Sequence, residues 1–266
     1  MIGVIYGDIV GSIYEFNNNK TKEFPMFSVG CSFTDDTVMT VAVADALLTW
    51  DRHGGMPAYK RILVAKMKEY GLRYPDSGYG ISFENWLYSS VSEPYSSYGN
   101  GSAMRTSPVA WFSEDMQETL ELARATASVT HDHPEGIKGA VVTTALIFAA
   151  RHGKSKKQLK LLASEYYDVD RTLDEIRPSY YFNETCQHTV PEAIVAFLES
   201  ESFEDAIKCA ISLGGDSDTL AAICGSIAEA YYGVNAEQGC KALSYLTEDL
   251  KRVSCAFMAK YVKYAE

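Results

Sequence analysis

The chain has 266 residues, 47% of them apolar, which is enough for one sizeable buried core. Its 24 basic and 35 acidic side chains leave a net charge of −11 and a pI near 5.0, arguing against general nucleic-acid binding or an anionic membrane surface. No basic-apolar-small leader opens the sequence, and the apolar run 140–150, broken by Thr143 and Thr144, is too short to span a bilayer, so a cytoplasmic protein is expected.

Apolar residues recurring at i, i+3, i+4 and i+7 predict helices over 3–16, 37–50, 57–70, 118–129, 136–151, 155–165, 190–199, 203–213, 217–232, 236–246 and 249–263. Alternating strands with hairpin signals are missing. Pro57, Pro108, Pro134, Pro178 and Pro191 fall at helix starts or in connections. The pattern reads as a single all-α domain over 1–266, built from packed short and medium helices. Two irregular stretches, 71–107 and 165–189, carry Gly, Pro, Ser and many aromatics, and long loops of this kind usually bear function. In the first helix, Gly3, Gly7 and Gly11 form a stripe that lets another helix approach closely. Asp8 on that helix is expected to be a buried hydrogen-bond partner, whereas Glu15, where the helix enters a loop, is better placed for chemistry. The cysteines (31, 186, 209, 224, 240 and 255) form no CxxC pair and mostly sit among apolar residues, as reduced thiols do.

Two acidic motifs carry the strongest chemical signal. Thr34-Asp35-Asp36-Thr37 and Gly214-Gly215-Asp216-Ser217-Asp218-Thr219 each place two carboxylates and a threonine at the start of an apolar helical pattern. Either motif alone reads equally as a helix cap. Paired acids in both, and a Gly-Gly turn before the second, favour a split binuclear site for hard divalent cations. Gly99-Asn100-Gly101-Ser102 before a short helix resembles an anion-binding helix start, a signal that an ordinary turn with an N-cap would also give. The pair His131-Asp132 suggests a phosphohydrolase-type metal site, but His53, His152 and His188 lack a supporting pattern, and a structural or substrate-lining role is preferred.

Taken together, these residues resemble the ADP-ribosylglycohydrolase family. The similarity runs through Gly7-Asp8, Gly11 and Glu15-Phe16, then Thr34-Asp35-Asp36-Thr37, Asn100-Gly101-Ser102-Ala103-Met104-Arg105, Thr130-His131, Thr189-Val190-Pro191-Glu192-Ala193, and 214–222. It implies an all-α orthogonal helical bundle holding two Mg²⁺ or Mn²⁺ ions on Thr34, Asp35, Asp36, Asp216, Asp218 and Thr219. It also implies a pyrophosphate wall at Ser97, Tyr98, Gly99, Asn100, Gly101 and Ser102, with His131 lining the pocket. The expected reaction is metal-dependent release of ADP-ribose by cleavage at C1″ of the distal ribose, with Glu15 or Asp36 as the acid/base and arginine as the favoured leaving group. Serine-linked ADP-ribose, O-acetyl-ADP-ribose and a non-catalytic ADP-ribose sensor remain open alternatives. Tyr98 and Phe182 are candidates for stacking on adenine. A prenyl-diphosphate enzyme is disfavoured, because Asp36 is followed by Thr37-Val38-Met39 where a third acid is needed.

Overall fold

In the computed structural model, which describes residues 1–263, the glycine stripe decides how the centre is built. Helix α1 (Ile2–Gly11) lies antiparallel on α13 (Ser217–Tyr232), with Gly3 against Gly225, Gly7 against Ala221 and Gly11 against Ser217 and Asp218. A Cβ on Gly7 would stand 2.1 Å from the carbonyl oxygen of Ala221, and one on Gly3 2.1 Å from that of Gly225, so backbone meets backbone. All ten residues of α1 and Ser217 through Glu229 of α13 are buried. Glu229 accepts from the backbone N–H groups of Ile2 and Gly3 and pairs with the Met1 ammonium, which satisfies donors at the start of α1.

Around this pair pack α2 (Asp35–Thr49), α8 (Pro134–Arg151), α11 (Cys186–Glu199) and α12 (Phe203–Ile211). Helix α14 (Ala236–Leu243) also packs on α1, and further out lie α3 (Gly55–Arg73), α7 (Met116–Ala127), α9 (Lys156–Ser164), α10 (Leu173–Ile176) and α15 (Glu248–Tyr261). One apolar cluster runs from Met1 to Phe257 and joins these elements into a common core. Side-chain caps set several starts: Ser155 with Gln158 and Asn235 with Gln238 form capping boxes, and His133 Nδ1 accepts from Glu135 N–H beside Pro134. Among the described residues the only β pairing is a single bridge between Gly99 and Thr185. The cysteines there are all free, with Cys31, Cys186, Cys209 and Cys224 buried and Cys240 and Cys255 exposed.

Three differences from the predicted elements bear on the site. Helix α1 stops at Gly11 rather than residue 16, because Tyr14 N–H turns back to Gly11 and places Glu15 outside the helix. The stretch 71–107 contains α4 (Ile81–Tyr88) and α5 (Gly101–Met104), and α6 (Ser107–Phe112) follows it; all are too short for a clear helical period. Helix α11 begins at Cys186, so Pro191 lies inside it rather than at its start. Cys186 N–H donates to Tyr98 and Asn100 N–H to Glu184, which ties the two irregular stretches together beside that new start.

Candidate metal centre and active-site cavity

The antiparallel packing brings the C-terminal end of α1 to the N-terminal starts of α2 and α13. Asp8 links the first two: it accepts from Thr34 N–H at 3.0 Å, Thr34 Oγ1 at 2.7 Å and Thr37 N–H at 3.0 Å. It is thus the buried hydrogen-bond partner expected of it, capping the first turn of α2. Asp8 also joins Asp36 and Asp218 in a buried group whose carboxylate oxygens lie within 4.8 Å of one another. A second group, Glu15, Asp216 and Asp218, meets the same limit, so Asp218 belongs to both. These two groups are the candidate metal-holding sites.

The turn into α13 needs Gly214 and Gly215, at φ of +71° and +72°. Asn18 accepts from Gly215 N–H at 2.9 Å, and Lys20 Nζ donates to the carbonyls of Arg177 at 3.0 Å, Tyr180 at 2.6 Å and Leu213 at 2.5 Å. Asn100 Nδ2 donates to Asp216 at 2.6 Å and to Thr189 Oγ1 at 3.1 Å, which connects the loop before α5 to the acids.

The donor set suits a hard cation. Thr34 gives its hydroxyl proton to Asp8, and Thr219 Oγ1 donates to Asp36 Oδ2 at 3.1 Å, leaving lone pairs on both hydroxyls. Asp36 Oδ1 is buried and has no hydrogen-bond partner among the described residues. Asp216 and Asp218 bring carboxylate oxygens within 4.8 Å of each other, a repulsion that a proton or a cation would relieve. Among the described residues no Lys or Arg forms an ion pair with any of these acids or with Asp35. Without a cation, burial and then mutual repulsion push Asp35, Asp36 and Asp218 well above the usual carboxylate range. Burial raises Asp8 and Asp216 to about 6, and burial followed by Asp218, Asp8 and Glu184 raises Glu15 to about 8.

Glu15, Asp35, Asp216 and Asp218 line a cavity of about 570 Å³, within the usual range for a small-molecule site. Of the residues predicted for the site, Glu15, Asp35, Ser97, Gly99, Asn100, Gly101, His131, Asp216, Asp218 and Thr219 line it. Thr34 and Asp36 lie behind this lining, in contact with Asp8 and Thr219. Tyr98 packs edge-on against His133, ring centroids 5.3 Å apart, and Ser102 donates to the Gly136 carbonyl at 2.7 Å; neither lines the cavity. Phe182 does, stacked with Phe16 at 5.8 Å. Sequence reading did not single out the wall 78–83 and gave no role to Glu184 or Arg105, which also line the cavity. For Asp8 a usable signal existed: an acid between two glycines of a close-packed helix face is buried and must find donors or a cation.

Comparison with known proteins agrees with this geometry. The ADP-ribosylglycohydrolase family model matches residues 1–253. ADP-ribosylhydrolase ARH3 of Gallus gallus is 27% identical, over 91% of this chain and 88% of its own length. ADP-ribosylarginine hydrolase Tri1 of Pseudomonas putida is 28% identical, over 88% of this chain and 70% of its own length. A solved structure titled "ADP-ribosylglycohydrolase-related protein complex" superposes with a TM-score of 0.68 at 23% identity, covering 97% of this chain and 96% of that one, which establishes a shared all-α fold. With the family match covering nearly the whole chain and an acid centre beside a cavity of small-molecule size, the protein belongs to the ADP-ribosylglycohydrolases and is an enzyme of that type.

Proposed function

We propose that the protein is a metal-dependent hydrolase that releases ADP-ribose from a modified substrate by cleavage at C1″ of the distal ribose, with arginine as the favoured leaving group. The observation that carries the reading is the pair of acid groups sharing buried Asp218 at the floor of the cavity, with no basic side chain among the described residues paired to them. Thr34, Asp35, Asp36, Asp216, Asp218 and Thr219 would hold two Mg²⁺ or Mn²⁺ ions, with Asp8 and Glu15 adjoining them. When bound, such ions would neutralise the acids, hold the 2″ and 3″ hydroxyls and lower the pKa of a water.

The remaining work falls to the chain. Asn100 fixes Asp216 and, through Thr189, holds the loop that forms the wall for the pyrophosphate. The transition state gathers positive charge on the ribose, so a floor of carboxylates favours it over the neutral ground state. Glu15, half-buried at the cavity edge beyond the end of α1, is placed to exchange a proton with water or leaving group; Asp36, deeper and held by Thr219, is the second candidate. Two features support arginine. Glu15 and Glu184 give the cavity a negative side suited to a guanidinium, and the Phe16–Phe182 stack offers a flat apolar face. The arginine hydrolase Tri1 also appears among the relatives twice, from Pseudomonas putida and from Serratia proteamaculans.

The test is release of free ADP-ribose from an arginine-ADP-ribosylated protein with Mg²⁺ and with EDTA, beside Asp218→Asn. Release that needs the metal and disappears in the variant is expected. Serine-linked and O-acetyl substrates run in parallel, and preferential turnover of either would overturn the arginine assignment. Binding of ADP-ribose without turnover of any substrate would leave a sensor.

A further inference from the structure

At the cavity wall, Arg105, Thr130 and His131 form a buried line, Arg105 and His131 lining the cavity and Thr130 lying behind them. Arg105 is 1% exposed, and among the described residues it has no carboxylate partner. Its Nη2 donates to the Thr126 carbonyl at 3.2 Å and to Thr130 Oγ1 at 2.7 Å. Thr130 is fully buried, and its Oγ1 lies 2.7 Å from His131 Nδ1.

The protons in this line follow from its chemistry. A guanidinium only donates, so Arg105 occupies one lone pair of the Thr130 hydroxyl. That hydroxyl has one proton and is fully buried, and among the described residues His131 Nδ1 is the one acceptor in hydrogen-bond contact with it. With Nδ1 accepting, the ring proton must sit on Nε2. A Cβ added to Gly99 or Gly101 would meet Nε2 at 3.4 or 3.3 Å, so this nitrogen stands over the loop that walls the cavity, and no hydrogen bond to a described residue engages it.

We propose that Arg105 and Thr130 are positioning residues that hold His131 in the tautomer with its proton on Nε2, so that the wall beside Gly99 and Gly101 presents a fixed neutral donor to an anionic oxygen of the substrate. The choice of a phosphate oxygen as that acceptor rests on the proposed function. The opposite tautomer would aim a lone pair at the same oxygen and repel it. Burial first, and then the Arg105 charge, keep the ring neutral by lowering its proton affinity. A neutral ring must be in one tautomer or the other, so a device that selects between them decides whether this wall attracts or repels an anion.

The test begins with the full chain, labelled with ¹⁵N-histidine and free of ligand. It has five histidines, and His131→Gln assigns the relevant signals. Long-range proton–nitrogen correlations should show the Nε2-protonated form in the wild type and in Thr130→Ser. Thr130→Val, which removes the hydroxyl at nearly constant volume, should give mixed tautomers and bind ADP-ribose about 10- to 100-fold more weakly, with Thr130→Ser near wild type. With a hydrolysed substrate, the Val variant should raise KM more than it lowers kcat. Protonation at Nδ1 in the wild type, or wild-type tautomer and affinity in Thr130→Val, would overturn the proposal. If Thr130→Val does not fold, the wild-type spectrum decides the point. If the wild type binds no ADP-ribose, the reading of the cavity fails, while the ligand-free spectrum still decides the tautomer.

Discussion

With divalent cation held at the acid centre as proposed, stability should depend jointly on pH and cation. Asp8 and Asp216 have carboxyls raised to about 6 by burial in the cation-free fold, against 3.8 ordinarily. A carboxyl raised on folding contributes stability that is fully present below its unfolded value and lost as pH climbs through its folded value. Between pH 5 and 8 each of the two therefore forfeits about 1 kcal/mol, at about 1.4 kcal/mol per unit. Glu15, raised to about 8, extends the loss to the top of that window. Divalent cation bound there would replace those protons and remove the penalty. From Asp8 and Asp216 alone, the stability gap between Mg²⁺ and EDTA should widen by about 2–3 kcal/mol from pH 5 to 8, or on the order of 5–10 °C in Tm for a chain of this size, and Glu15 should widen it further. Buried neutral His131 has its own pH dependence, but it acts in both conditions and cancels in the gap. The assay is thermal unfolding by circular dichroism at each pH in 5 mM-scale cation or chelator. A gap of zero, or one that narrows with rising pH, would refute the cation site and the electrostatics behind it.

Asp218→Asn removes the acid common to both groups. It should raise stability in EDTA at pH 8 above wild type, abolish the Mg²⁺-dependent gain and reduce ADP-ribose release by at least about 100-fold, measured by unfolding scans and product assay. Gly7→Ala drives a Cβ to 2.1 Å from the Ala221 carbonyl oxygen, where no side chain can yield; a loss of about 3 kcal/mol or more in urea unfolding is expected. Lys20→Met leaves three carbonyls without their ammonium donor beside the Gly214-Gly215 turn, and should cost about 1–3 kcal/mol together with a weaker cation response. Ser155→Ala, remote from the cavity, should lower stability by about 1 kcal/mol through its lost capping box and leave hydrolysis unchanged.

The features legible in the sequence were those written in local pattern. Helical periodicity found the long helices, and the spacing of Gly3, Gly7 and Gly11 announced a close helix partner, which proved to be α13. The acid motifs were visible because each pairs carboxylates at a helix start. The short helices α4, α5 and α6 span eight residues or fewer, too little for a period to emerge from composition. Pro191 looked like a helix start, but it sits inside α11, whose true beginning is set by a nonlocal bond from Cys186 N–H to Tyr98. Ser102 and Tyr98 could not be placed from the sequence, since a loop's letters do not say which side chains turn inward.

What joins these readings is the geometry at Gly11. Its missing Cβ lets the end of α1 rest on the backbone of Ser217 and Asp218, where an added Cβ would lie 2.5 Å from Asp218 Cα. The same contact sets the height of Asp8 against Asp36 and Asp218, and it releases the chain into the turn that carries Glu15 toward Asp216. Packing and chemistry are therefore one constraint at this point: the approach that buries α1 also forces the carboxylates together. A fold held this way carries electrostatic strain unless a cation relieves it. For that reason stability in chelator, and not activity alone, is the measurement on which the metal assignment depends.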